Sequence, residues 1–253
     1  MADDAGTSLK GRVSAEEWQA RVDCAALYRL VALHGWDDMI FTHISMRVPG
    51  PDHHFLINPY GMLFEEITAS SLVKVDLEGA IVAPTPYYIN PAGFTIHSAI
   101  HAAREDALCV IHLHTDAGVG VSAQKEGLLP LTQNALMFDG RVGYHEYEGP
   151  AVTPDEIERL GATLGDNAVL FLRSHGCLIA GRTIAEAFTM AHDLHRACDM
   201  QIALLSCGGD NIHPLTEESR RLVRERMAMP NAKAPEWPGL LRRLDRTEPD
   251  YKL

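Results

Sequence analysis

The run LCVIHLHT, residues 108–115, constrains this chain more than any other stretch. Its apolar, β-branched residues predict a strand, and residues two apart on a strand point to the same side. His112 and His114 therefore project together, about 6 to 7 Å apart along the strand. Two neutral imidazoles at that spacing can meet on one ion, with Zn–N distances of about 2.0–2.1 Å. A third ligand must come from elsewhere. His175 is the best candidate, because Ser174-His175-Gly176 falls at a predicted strand end and glycine permits close backbone approach. Three histidines leave one position open, which is how catalytic zinc sites differ from structural ones. Taken alone, the HxH spacing fits equally well a hydrogen-bonded pair of histidines at an edge of the fold.

The rest of the chain narrows the classes. Its 253 residues can bury one sizeable core. Lys plus Arg number 22 against 34 Asp plus Glu, a net charge of −12, which argues against a nucleic-acid or anionic-membrane surface. No stretch approaches 18 uninterrupted apolar residues, so no membrane span is expected. Residues 1–12 carry acids and lack an apolar segment, which predicts a flexible arm and not a signal peptide. Five cysteines, an odd number without a CxxC pair, predict reduced thiols in a cytoplasm.

Periodicity supplies the remaining elements. Ser14 and Glu17 form a capping-box pattern ahead of a helical stripe that ends at Gly35. Residues 40–48 alternate as a strand, with Phe41, His43, Ser45 and Arg47 on one face. Residues 55–64 read as two short strands around a turn at Pro59 to Gly61. VKVDLEG reads as a strand running into a turn. Asn90-Pro91 opens a helix to about Arg104, placing His97 and His101 at i and i+4 on one face. Residues 117–126 look helical, 168–181 read as two strands, and Thr183 with Glu186 opens a long helix. The expected organisation is an arm over 1–12, one domain over 13–210, and a helix with a Pro-rich tail over 211–253. That tail is expected to wrap a surface or a neighbour rather than pack as a core.

The stretches NPYGMLFEEITASSLVKVDLEG, AGFTIHSAIHAAR, VIHLHT, VSAQKEGLLP and LRSHGCLIAG carry a family resemblance. Across residues 16 to 210 the chain resembles the class II aldolase/adducin family, and it looks closer to adducin heads than to bacterial sugar-phosphate aldolases. The resemblance implies an α/β fold, a three-layer α/β/α sandwich around a mixed, mostly antiparallel sheet. It implies a homotetramer with active sites at subunit interfaces. It also implies a divalent metal, Zn²⁺ first and Mn²⁺ or another first-row ion next, on His112, His114 and His175.

Departures from the family pattern shape the expected chemistry. The position of the aldolase catalytic glutamate holds Gly93, four residues before His97. The paired serines that grip phosphate fall at Pro91-Ala92, and the asparagine of the first strand's loop falls near His43. The expectation is a metal-dependent carbon–carbon lyase for a small unphosphorylated hydroxy or keto acid, aromatic acids included, with decarboxylation favoured over retro-aldol cleavage. His97 and His101 are the candidate proton donors. Tyr144 and His145, read as loop residues, are weaker candidates. Tyr60, Tyr87 and Tyr88 are candidates for substrate contacts, with ordinary partly buried packing as the alternative. Arg173 is expected in a structural ion pair, and Cys109 and Cys177 in packing. The alternative is an adducin-like binding module without catalysis.

Overall fold

The computed structural model describes residues 8–149, 154–227 and 234–253. The expected arm falls largely on residues 1–7, outside the described residues, as does Pro230 of the tail. Among the described residues, seven strands form one sheet: β1 (His43–Arg47), β2 (Phe55–Ile57), β3 (Val73–Val75), β4 (Cys109–Leu113), β5 (Val142–His145), β6 (Val169–Leu172) and β7 (Gly176–Gly181). Their spatial order is β3-β2-β1-β4-β7-β6-β5. Every neighbouring pair is antiparallel except β5 with β6, which is parallel.

Helices cover both faces; besides those named below, the chain forms α3 (Asp116–Ser122), α4 (Gln133–Leu136) and α7 (Glu217–Met227). On one face Ile44, Ile111, Phe171 and Ile179 pack with α1 (Ala15–Leu33) and α6 (Ile184–Ser206) in a single core. On the other, Val110, Leu170, Leu172 and Leu178 meet Ile96 and Ile100 of α2 (Pro91–Ala103) and Leu160 and Leu164 of α5 (Pro154–Leu164). The result is an α/β/α sandwich. Strand parity sends Cys109 and Cys177 into the first of these cores, as free buried thiols.

Caps set the helix starts. Ser14 accepts from the Glu17 N–H and Thr183 from the Glu186 N–H. Neither capping box closes, however. Glu17 turns its carboxylate to Arg21 and Lys74, and Glu186 accepts from the Arg182 backbone N–H instead. For Glu17, two charged partners outcompete a backbone amide for the carboxylate. Asn90 caps α2 by accepting from the Ala92 N–H.

Three expectations need correction. Residues 55–64 give one strand, not two, because Pro59 has no N–H for a ladder and Gly61 turns the chain at φ +97°, so that Phe64–Glu66 closes as a 3-10 turn. The GYHEYEG stretch is not all loop, since β5 takes in Tyr144 and His145 at the sheet edge. The tail does not merely wrap a surface. Trp237 and Leu244 of α8 (Trp237–Thr247), with Tyr251, are buried in the main core. The chain end is pinned too: Arg29 pairs with Glu248 and Asp250, and the Tyr251 carbonyl accepts from the Ala69 N–H.

Candidate metal centre

β4 and β7 lie side by side, with His112 opposite Leu178. His114 follows the last residue of β4, and His175 precedes the first of β7. The backbone makes room for this meeting. Ser174 takes a left-handed φ of +56°, and a Cβ on Gly176 would stand 2.4 Å from the Leu113 carbonyl oxygen and 3.0 Å from the His114 ring.

The three rings converge through one atom each. His114 Nε2 lies 2.9 Å from His112 Nε2 and 3.0 Å from His175 Nε2. Tetrahedral ligands on zinc stand about 3.3 Å apart, given Zn–N near 2.0–2.1 Å. The outer nitrogens explain why a cation fits. His112 Nδ1 faces the Cys177 carbonyl at 3.1 Å, which can only accept, so that nitrogen carries the proton and Nε2 is bare. His114 Nδ1 likewise faces the Asp38 carboxylate at 3.0 Å. Bare lone pairs therefore point at one another, an arrangement that repels unless a cation sits among them. A proton is disfavoured in that role. Burial, then the charge of neighbouring His43, hold His112 well below the usual histidine range. Burial and the nearby His114 push His175 down to about 4. The hydrogen bonds behind the rings are the kind that orient metal-bound histidines.

His97 and His101 fall elsewhere than expected. Both are buried beneath β1, and both nitrogens of each are already engaged. His101 Nδ1 faces the Ala107 carbonyl at 3.1 Å, and its Nε2 lies 2.7 Å from Ser45 Oγ. Ser45 Oγ also bonds His97 Nδ1, and His97 Nε2 lies 2.8 Å from His43 Nδ1. Neither ring has a nitrogen left to offer a substrate. Burial holds His97 well below its usual range, and burial with the Arg47 charge takes His101 to about 3.

His43 is the member that reaches the centre. It sits opposite His112 in the β1–β4 register, and its ring stacks on that of His112 at 4.9 Å and 29°. The space it fills is one that residue 93 leaves free. A Cβ on Gly93 would lie 2.6 Å from His43 Cδ2 and 2.9 Å from Nε2.

Other candidates are placed away from this chemistry or beside it. Arg173 donates to the Gln124 and Ser122 carbonyls and stacks over Tyr144, a structural role. A cleft next to His175 is lined by His145, Tyr147 and Glu148. Tyr88 is exposed and stands near Tyr60 at 6.0 Å. Asp38 and the Cys177 carbonyl were not legible as participants. His43 and Ser45 carried a signal, since two polar residues alternate on one face of a predicted strand.

Comparison with known proteins gives the family. A family model, the Class II Aldolase and Adducin N-terminal domain, matches residues 22–202. A Caulobacter vibrioides protein whose name places it in aldolase class 2 is 61% identical, over 99% of each chain. The crystal structure of an aldolase II superfamily protein from Pseudomonas syringae is similar with a TM-score of 0.93 at 51% identity, covering 97% of this chain and 100% of that one. Rat alpha-adducin is 49% identical across 76% of this chain but only 27% of its own length. The chain belongs to the class II aldolase/adducin family.

Proposed function

We propose that the chain is a divalent-metal-dependent carbon–carbon lyase for a small unphosphorylated hydroxy or keto acid. The observation that carries this reading is the convergence of one imidazole nitrogen each from His112, His114 and His175, two of them bare by the tautomers derived above. A zinc-type ion held there would polarise substrate oxygens and accept electron density as a carbon–carbon bond breaks. Everything else falls to the chain's own residues. Asp38 and the Cys177 carbonyl hold two of the rings in the binding tautomer.

The start of α2 speaks against a phosphate. Pro91 has no N–H, the Ala92 N–H is taken by Asn90, and no hydroxyl side chain stands at 91–93. The absence of a carboxylate at position 93 favours decarboxylation over retro-aldol cleavage, because a carboxylate substrate is already ionised while an aldol must first lose a hydroxyl proton. His97 and His101 act in this scheme through His43, as positioning residues. The protein is further proposed to work as a cytoplasmic homotetramer. No helix among the described residues is long and apolar enough to cross a membrane.

A second reading is a non-catalytic module that keeps the metal site, favoured by the identity to alpha-adducin and by Gly93. Turnover separates the two. Zinc- and manganese-loaded protein is assayed against hydroxylated aromatic acids, β-keto acids, unphosphorylated aldols and fuculose 1-phosphate. Metal-dependent release of CO₂ or an aldehyde from an unphosphorylated compound is expected, with the sugar phosphate inert. Turnover of the phosphate alone would refute the substrate class. No turnover anywhere, with a protein partner co-purifying, would install the module.

A further inference from the structure

The buried chain beneath β1 has a direction, and the direction ends in the site. It starts at the Ala107 carbonyl, which can only accept, so His101 Nδ1 carries a proton. His101 is deeply buried, its charged neighbour is Arg47 and no carboxylate touches it, so the ring is neutral and Nε2 is bare. Ser45 must then donate its single hydroxyl proton to that nitrogen. With its proton spent, Ser45 Oγ can only accept, so His97 Nδ1 donates to it and His97 Nε2 is bare. His43 Nδ1 donates to that bare nitrogen. The last atom of the series, His43 Nε2, is left with a free lone pair. It makes no hydrogen bond among the described residues. The unpartnered side-chain nitrogens sealed from solvent are Arg47 Nε, His145 Nε2 and His195 Nδ1, and His43 Nε2 is not among them.

We propose that His43 Nε2 is a fixed hydrogen-bond acceptor at the metal centre, which selects substrates presenting a hydroxyl there over those presenting a keto oxygen. The inference rests on the lyase reading and deepens it, because it chooses hydroxy acids from the hydroxy and keto acids allowed above. A hydroxyl donates to the bare nitrogen. A keto oxygen at the same place sets lone pair against lone pair. The imidazole cannot adapt by moving its proton to Nε2 without stranding His97 Nε2, and each correction passes one step further to a backbone carbonyl that cannot donate. Gly93 is part of the device, since any side chain there would collide with the ring that presents the nitrogen.

Two measurements on the full-length, zinc-loaded protein test this. The first is two-bond ¹H–¹⁵N correlation of the histidine rings, which reads the tautomer directly. His43, His97 and His101 are all expected as Nδ1–H with Nε2 bare. A proton on His43 Nε2 overturns the proposal whatever the substrate proves to be. The second is calorimetric binding of matched acids, lactate against pyruvate and mandelate against benzoylformate. The hydroxy acid of each pair is expected to bind roughly tenfold or more tightly, the usual consequence of leaving a buried polar group unmatched. His43→Phe keeps a ring against His112 and removes the acceptor, so the preference should collapse there with zinc content unchanged. Equal affinities in the wild type, no binding of either acid, or a preference that survives His43→Phe overturns the selection. Failure of the lyase reading shows separately, as an absence of turnover with the tautomers as described.

Discussion

Two groups of histidines share one face of the sheet, and their nitrogens face different things. In the first, His112, His114 and His175 aim one nitrogen each at a common point, those of His112 and His114 bare. In the second, His43, His97 and His101 are strung in series with Ser45, each nitrogen but the last matched to a partner. Burial lowers proton affinity in both groups. The difference lies in where the acceptors are. A carbonyl and a carboxylate behind the first group turn its lone pairs inward, creating a site for a cation. A carbonyl at the far end of the second turns its lone pairs outward, one after another, and no cation is needed. Identical side chains thus become a ligand set or a directional relay, according to the acceptor groups that anchor them.

The sharpest way to break this comparison is to remove a ligand. His112→Ala and His175→Ala should each lower zinc affinity by more than about 100-fold, beyond what outer hydrogen-bond partners contribute. Metal analysis after dialysis reads the loss, and unchanged content in either variant would end the assignment. Gly93→Ala comes next. Its Cβ meets the His43 ring and should cost about 2–3 kcal/mol of stability by overpacking, measured by denaturant unfolding. Zinc content should survive, because the three ligands are untouched.

Ser45→Ala attacks the relay alone. It leaves two buried ring nitrogens without a partner and should destabilise the fold by about 1–2 kcal/mol. If zinc binding fell with it, the two groups would not be separable in the way described. The smallest effect is expected for Asp38→Ala. Its carboxylate is half exposed, and losing it should weaken zinc about tenfold, or about 1.4 kcal/mol, by freeing the His114 ring. Loss of the relay tautomers in this variant would show an unforeseen coupling between the groups.

Much of the scaffold was legible before the structure. The helices opening at Ser14, Asn90 and Thr183 stand where cap and stripe placed them, because a cap is a contact between residues two or three apart. The HxH strand behaved likewise, since the side to which His112 and His114 point depends only on strand parity. The edge strand β5 was missed because its pairing lies with β6, more than 20 residues onward, and its own pattern is short. The buried tail was missed for a related reason. Pro230, Pro235, Pro238 and Pro249 read as irregular chain, while Trp237, Leu244 and Tyr251 are spaced for a core that only the rest of the molecule provides.

What the sequence by itself determined, then, is local: helix starts, strand parity, two histidines on one side, and glycines where the chain must turn or come close. Tertiary structure alone decided which atoms meet. His114 lies 61 residues from His175 and 76 from Asp38, and His43 lies 54 from His97. Whether those pairs touch depends on the register between β1, β4 and β7 and on the seating of α2. A one-residue slip in that register would turn the rings carried by the slipped strand to the opposite face. The proton pattern is more remote still, because the free nitrogen of His43 is set by the Ala107 carbonyl three hydrogen bonds beyond its own bond to His97, a property of the whole chain of contacts and of no single residue in it.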